Sequence, residues 1–470
     1  MSTQPKPSAD DEIEVSLYQA REKIYPRSVE GLFSKWRWGV VWLTQLVFYG
    51  LPWLQWNERQ AILFDLESRR FYIFNLVLYP QDFIYLTGLL VISALALFLF
   101  TAIAGRLWCG FACPQTVYTE IYLWIEKKVE GDRSARMRLD QAGFSVAKVG
   151  KKSLKHLLWA LFGLYTGFTF VGYFTPIQEL AVAFVTLSLG PWQTFWVFFY
   201  GFATYGNAGF MREQVCKYMC PYARFQSAMF DRDTMIVTYD EARGEPRGAR
   251  SKKADPTSMG LGACVDCSLC VQVCPTGIDI RKGLQYECIG CGACADVCDD
   301  VMDKMGYPRG LVKFSTQNGL THGWTVRQMV MRVLRPRVLV YSGILLAITI
   351  AVFASLAMRM PLKVDVIRDR ASMGRMVDMG RIENVYRLQI MNATEQPQTF
   401  RITVDGLPGV EVVAGAEVDL RPTEVRGVAV TLQVPPDVAP PGAHRVQFHV
   451  QSETNRSLHV VTSSTFIVPR

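Results

Sequence analysis

Two short runs of cysteine constrain this chain more than any other feature. Cys264-x2-Cys267-x2-Cys270-x3-Cys274-Pro275 is closely followed by Cys288-x2-Cys291-x2-Cys294-x3-Cys298. Three cysteines at two-residue gaps wrap a tight loop around one face of an iron–sulfur cubane. The fourth, beyond a turn, points the other way and ligates the neighbouring cluster. The spacing therefore assigns Cys264, Cys267, Cys270 and Cys298 to one [4Fe–4S] cluster, and Cys288, Cys291, Cys294 and Cys274 to a second. Zinc fits poorly, because it favours paired Cys-x2-Cys knuckles separated by a longer loop. The second run ends in Cys298-Asp299 where proline is usual, a departure that affects the turn and not the ligand count. Apolar residues among the ligands, such as Val265, Leu269, Val273 and Val297, limit water and tune the potential. Such a pair of clusters moves single electrons. No Gly-x-Gly-x-x-Gly follows a strand, so nothing points to a flavin or nicotinamide.

All twelve cysteines lie between residues 109 and 298, each in a Cys-x2-Cys or Cys-x3-Cys unit. A disulfide framework would spread along a secreted domain. The clustering reads instead as metal or redox chemistry in a reducing compartment. Residues 1–37 are polar and lack the apolar segment and cleavage site of a signal peptide.

Half of the 470 residues are apolar, and they gather in long runs. A helix needs about 20 such residues to cross a bilayer. Five segments qualify: 38–54, 83–105, 156–174, about 191–210, and 338–358. The charge-free stretch 180–211 is too long for one span; Gly190-Pro191 divides it, leaving 180–189 as a re-entrant or interfacial piece. The net charge of +8 suits a cytoplasmic membrane face better than nucleic acid, since the basic residues flank the apolar runs and no nucleic-acid-binding motif is present. Residues 106–155 hold ten Lys and Arg, whereas 175–190 hold none. The positive-inside rule then makes residues 1–37, the loop 106–155 and the segment 212–337 cytoplasmic. The expected layout is a cytoplasmic start at 1–37 and four spans in 38–211. A cytoplasmic region 212–337 follows, with a ferredoxin-like domain at 255–305. A fifth span at 338–358 leads to a periplasmic domain at 359–470.

Beyond residue 365 the pattern changes to alternation, as in Val385-Tyr386-Arg387-Leu388-Gln389-Ile390 and Arg445-Val446-Gln447-Phe448-His449-Val450. Turn signals such as Asp405-Gly406 and Pro440-Pro441-Gly442 separate the runs. About seven short strands in roughly a hundred residues suggest an immunoglobulin-type β-sandwich. The fold class is thus a multi-domain membrane protein. It combines a helical bundle of about five spans, a 2[4Fe–4S] ferredoxin-like domain and a C-terminal immunoglobulin-like sandwich.

One motif repeats. Cys109-x3-Cys113-Pro114 follows the second span, and Cys216-x3-Cys220-Pro221 follows the fourth; Arg106 and Arg212 lie just upstream. Proline suits the first position of a helix, and the residue before it is pushed out of the α region. Cys113 and Cys220 are therefore expected as N-caps. A thiol there, with arginine nearby, is expected to have a lowered pKa and to be a readier nucleophile or soft-metal ligand. Three readings stay open: a copper or other soft-metal site, a redox disulfide pair, or small buried residues at span ends. The five histidines are scattered; His444 and His449 are five apart and face opposite sides of a strand. Arg247 to Lys253 reads as solvated linker.

The chain resembles the FixG/RdxA (CcoG) family of cytochrome oxidase accessory proteins. The likeness rests on Gly105-Arg106-Leu107-Trp108-Cys109-Gly110-Phe111-Ala112-Cys113-Pro114-Gln115, Met211-Arg212-Glu213-Gln214-Val215-Cys216, the two ferredoxin runs, and Val364-Asp365-Val366-Ile367-Arg368-Asp369-Arg370 ahead of Ile382-Glu383-Asn384-Val385-Tyr386. The Cys-x3-Cys-Pro pairs are also similar to those of the membrane ferredoxins of nitrate and nitrous-oxide respiration. The resemblance implies a bacterial inner-membrane protein that acts in assembling a cbb3-type cytochrome oxidase. It further implies reduction of Cu(II) to Cu(I), with copper as a further metal. Its partners would be oxidase assembly factors or copper-handling proteins and an unidentified electron donor. A relay subunit of a respiratory complex and a non-catalytic copper chaperone or scaffold are the alternatives.

Overall fold

The computed structural model describes residues 23–57, 59–252, 254, 259–369, 374–436 and 438–469. Most of the expected N-terminal segment, Lys253 of the linker, the first residues of the 255–305 segment and Arg370 of the family motif lie outside them. The chain forms two compact units. The first comprises 1–41, 101–161 and 205–332; the second comprises 42–100, 162–204 and 333–470.

Helices α1 (Leu32–Gly50), α2 (Phe83–Ala104), α3 (Leu107–Phe111), α4 (Pro114–Glu130), α5 (Arg133–Gln141) and α6 (Val146–Val171) build the first half of the chain. Next come α7 (Ile177–Val185), α8 (Pro191–Thr204) and α9 (Pro221–Met229), then α10 (Ala293–Met305) and α11 (Pro336–Ala357). Three helices among the described residues are long and apolar enough to cross a membrane: α2 with the turn before it, α6, and α11. Their outer faces expose side chains such as Ile84, Leu90, Leu161, Leu346 and Phe353, which water disfavours and lipid accepts. The other two expected spans are helical but differ in kind. α1 carries Lys35 and Arg37 in its first two turns. α8 ends as an α-helix after 14 residues and continues as a π-helix, Tyr205–Met211. The expected re-entrant piece overlaps α7, nine residues with Ile177 and Leu180 buried.

In the first unit, α1 is tied to the cysteine-rich region at its start. The backbone N–H groups of Phe33 and Ser34 donate to the Asp296 carboxylate at 3.1 and 2.7 Å. A carboxylate satisfies the orphan donors of a helix N-terminus and favours its dipole. A Cβ on Gly31 would fall 2.3 Å from that carboxyl carbon, so glycine is what lets Asp296 approach. A two-stranded ribbon pairs Ile236–Tyr239 with Val312–Ser315 and covers α10 through Val237, Val301, Met302 and Val312.

A second buried feature of this unit is ionic. Glu126 of α4 is 2% exposed and receives Arg136 at 2.8 Å, Arg212 at 3.1 Å and Lys155 at 3.5 Å. Glu130, one turn on, lies 2.9 Å from both Lys152 and Lys155. Burial raises the Glu126 pKa, but Arg212, Arg136 and Lys155 outweigh it and hold the carboxyl below its usual range. Removing one member of such a buried set leaves its partners' charges uncompensated.

In the second unit, eight strands and the two-residue strand Arg375–Met376, which pairs with the start of β2, form a two-sheet sandwich: β1 (Leu362–Arg368), β2 (Ile382–Asn392), β3 (Gln398–Asp405), β4 (Glu411–Ala414), β5 (Glu417–Leu420), β6 (Val425–Val434), β7 (Gly442–Ser452) and β8 (His459–Val468). One sheet runs β4-β6-β2-β1 and the other β5-β3-β7-β8. Alternate residues of each strand fill the core, including Tyr386, Phe400, Val430, Phe448 and Phe466, all fully buried. The 55–82 loop, which carried no expected fold, forms a three-stranded meander over Ile62–Asp65, Arg70–Ile73 and Leu76–Leu78. Its Leu63, Tyr72, Val77 and Tyr79 pack with Ala393 of the sandwich. The Tyr79 hydroxyl donates to the carbonyls of Asn392 and Thr423, and buried Asp82 accepts from Arg359 at 2.6 Å.

Candidate metal centres

Both ferredoxin runs follow the same backbone path. Asp266 and Ser268 in the first run, and Gly290 and Gly292 in the second, all take left-handed φ values between 51° and 73°. These are equivalent positions: 266 and 290 immediately precede the second cysteine of their run, and 268 and 292 immediately follow it. A left-handed residue on each side curls the loop and turns its N–H groups inward, as a bound anion requires. The first run does this without glycine, and Arg281 braces it by pairing with Asp266 and, at 2.8 Å, with Asp279.

Two cavities open beside these loops. Cys264, Cys267, Cys270 and Cys298 line one of about 380 Å³. Cys270, Cys274, Cys288, Cys291 and Cys294 line another of about 340 Å³. Cys270 thus borders both. Cys294 and Cys298 lie one turn apart on α10. That helix runs straight through the position where proline is usual, and Asp299 accepts from the Gly310 N–H at 2.8 Å. Burial pushes the Cys270 thiol up to about 11 and those of Cys288 and Cys298 to about 12. A soft-metal ligand set is neutral until metal displaces its protons, so these sites couple loading to proton release. The donors are all sulfur and the walls apolar, which fits [4Fe–4S] clusters.

The two Cys-x3-Cys-Pro motifs also come together. Cys109 lies in α3, and Cys113 caps α4 with extended backbone. Cys216 lies in a second π-helical piece, Val215–Met219, and Cys220 caps α9. The repeat in sequence is therefore not a repeat in geometry, since one copy is α-helical and the other is π. π segments cluster at functional sites. Cys216 is within electrostatic reach of Cys109, Cys113 and Cys220. The Cys109 thiol sits 3.5 Å from Gln226 Oε1 of the second copy. Gln115 of the first copy donates to the carbonyls of Asn207 and Arg212 at 3.0 and 3.1 Å. Cys109 and Cys216 both pack against Ile289, Cys291 and Val297 of the ferredoxin segment. Gly110 is pressed so close that a Cβ there would stand 2.8 Å from the Cys291 backbone.

The expectation of a lowered thiol pKa is overturned at Cys113. Burial pushes Cys109 up to about 11 and Cys216 up to about 12, and it raises Cys113 as well. The upstream arginines are otherwise engaged. Arg212 turns to Glu126, while Arg106 donates to the carbonyls of Tyr286 and Ala223. Arg106 does pull the Cys109 thiol down, but by less than burial raises it. Its main work is to stitch α3, α9 and the loop before Cys288 together. Among the described residues no group of three or more His, Cys, Asp or Glu converges tightly enough for a single metal ion.

Residues 211–317 match the family described as a 4Fe-4S dicluster domain, and residues 86–130 match a 4Fe-4S binding domain. Residues 352–469 match the IG-like fold at the C-terminal of FixG. The chain is 39% identical to the nitrogen fixation protein FixG of Rhizobium meliloti over 457 residues, covering 90% of this chain and 86% of that protein. The chain belongs to the FixG/RdxA family. A second member, protein RdxA of Cereibacter sphaeroides, is 39% identical over 86% of this chain and 87% of its own length. Protein RdxB of the same organism is 40% identical over 83% of each chain. As a FixG/RdxA member the chain is an iron–sulfur protein with helices fit for a membrane and an immunoglobulin-like C-terminal domain. The family match at 86–130 spans Cys109 and Cys113, drawing the first Cys-x3-Cys-Pro motif into the iron–sulfur region.

Proposed function

We propose that this protein stores single electrons in its ferredoxin segment and delivers them to the four thiols of Cys109, Cys113, Cys216 and Cys220. There Cu(II) is reduced to Cu(I) for insertion into a cbb3-type oxidase. The observation that carries this reading is the contact of Gly110 with the Cys291 backbone, which sets one thiol loop directly against a cluster-binding loop. When bound, the two [4Fe–4S] clusters supply electrons one at a time. Their ligands in this reading are Cys264, Cys267, Cys270 and Cys298 for one, and Cys274, Cys288, Cys291 and Cys294 for the other.

Each residue group has a task. A cavity of about 520 Å³ reaches Cys216 past Gln115, Glu120 and Glu213, with Arg37 and Arg212 also on its wall. Burial keeps the thiols of Cys109, Cys113 and Cys216 protonated at rest, so a metal ion must displace their protons to bind. One electron per cupric ion leaves Cu(I), which thiolates hold well as soft ligands. The buried ion pairs of Glu126 hold the Arg212 segment, and with it Cys216, in register with α4. The basic flanks of the apolar segments support five spans in the bacterial inner membrane, with the cysteines cytoplasmic and the sandwich periplasmic.

The test uses anaerobically purified protein with reduced clusters. Cu(II) is added, and Cu(I) is measured beside cluster reoxidation. One Cu(I) should form per electron stored. Cys109→Ala and Cys216→Ala should abolish it without loss of the iron of Cys264 to Cys298. Unchanged rates in both variants, or equal rates after cluster removal, would overturn the reading. Cluster reoxidation by a protein partner but never by copper would favour a relay.

A further inference from the structure

Three outward-facing residues of the sandwich belong to none of the machinery above. His449 of β7 pairs in register with Thr403 of β3 on one side and Val461 of β8 on the other. Asp405 and His459 are its diagonal neighbours on those strands, so all three share one face of the sheet. The intervening residues Val404, Phe448 and Val450 point into the core. The two imidazole rings lie 16° from parallel with centroids 5.5 Å apart. His449 Nδ1 stands 3.4 Å from His459 Nε2. On the far side of the first ring, His449 Nε2 lies 3.1 Å from Asp405 Oδ2.

We propose that His449 and His459 form a two-imidazole binding site for a late first-row transition-metal ion, copper by order of affinity, with Asp405 orienting the first ring. The inference goes beyond the reading of the thiol site, because it needs neither clusters nor reduction. The Asp405 charge, 3.1 Å from Nε2 though not aligned as a hydrogen bond, favours the tautomer protonated there and leaves Nδ1 as the free lone pair. Two nitrogens about 2.0–2.1 Å from one ion at a tetrahedral angle stand about 3.3 Å apart. The pair already holds that separation within a few tenths of an ångström. On binding, the ion takes the place of the proton between the rings, which moves to His459 Nδ1. Both rings stay neutral and nothing is oxidised.

Only two protein ligands are present, consistent with the absence of any three-residue metal group among the described residues. The remaining positions are left to water or to a partner's ligand, so an ion held here can be handed on. Imidazole suits copper, zinc and nickel, and Cu(II) binds tightest of these. The sandwich has no cysteine to compete.

The test titrates Cu(II) into the full-length holoprotein in detergent, free of any affinity tag and with its clusters oxidised and EPR-silent. The parent should bind one ion more at saturation than His449→Ala or His459→Ala. It should also show nitrogen couplings from two imidazoles that both variants lose. Asp405→Asn should keep the two-nitrogen spectrum with affinity roughly 10–100-fold weaker. His444→Ala should leave the signal intact, since His444 faces Pro440 O at 2.7 Å, away from the pair. If His449→Ala fails to fold, His449→Gln carries the comparison. Identical stoichiometry and spectra in parent and both pair variants would overturn the site. Displacement of the copper by one equivalent of zinc would overturn the choice of ion.

Discussion

Gly110 touches Cys291 so closely that a methyl group cannot be placed between them: the added carbon would stand 2.8 Å from Cys291 Cα. Gly110→Ala therefore forces α3 or the second ferredoxin loop to move. Overpacking of this kind costs about 1–3 kcal/mol. A lower thermal unfolding midpoint is expected, together with slower copper reduction, while Gly206→Ala, where the added carbon meets nothing within 4 Å, should change neither.

Glu126 is the centre of a buried ion-pair set, so Glu126→Gln strands Arg136, Arg212 and Lys155. The expected loss is about 3–5 kcal/mol, read by denaturant or thermal unfolding in detergent. The pH dependence follows from the lowered carboxyl pKa. A depressed folded value contributes stability above the ordinary value of 4.5, and that contribution is lost as pH falls through the folded value. The stability gap between parent and Glu126→Gln should be full at pH 7 and shrink progressively below 4.5. A gap independent of pH would mean the ion pairs are not its source.

Asp299 occupies the position where proline is usual, and installing that proline should damage the protein. α10 runs on to Met305, so Asp299→Pro breaks a helix in its interior and removes the acceptor of the Gly310 N–H. The cost is about 3 kcal/mol or more. Iron per chain should fall in Asp299→Pro, with Asp299→Asn close to the parent.

The sidedness of the membrane arrangement is open to labelling in cells. Asn455→Cys and Glu241→Cys both place a thiol at an exposed position. An impermeant maleimide should label the first in intact spheroplasts and the second only after the membrane is opened. The reverse pattern would invert the proposed topology.

The sequence was most informative where chemistry is local. Cysteine spacing alone led to the ferredoxin loops, proline alone located the N-caps at Cys113 and Cys220, and alternation alone announced the sandwich. What it did not reveal depends on distant partners. Cys113 was expected to be an acidic N-cap thiol, yet burial raises it, and Arg212, upstream of the second motif, gives its guanidinium to Glu126. Residues 55–82 hold short apolar runs such as Ile62 to Phe64 and Phe71 to Ile73, whose lack of alternation gives no strand signal, yet they pair as neighbouring strands. The opposite facing of His444 and His449 is legible along one strand, whereas the contact of His449 with His459 crosses to the next strand and depends on the sheet register.

Asp296 caps α1 from 262 residues further along the chain. At roughly 5–20 residues per second of synthesis, this carboxylate leaves the ribosome about 13 to 50 s after the helix it completes. It is rooted in α10, between Cys294 and Cys298, whose final shape awaits iron. The first helix among the described residues is thus fastened only after α10 is made, and a cell short of iron would accumulate chains in which α1 is made but not yet capped.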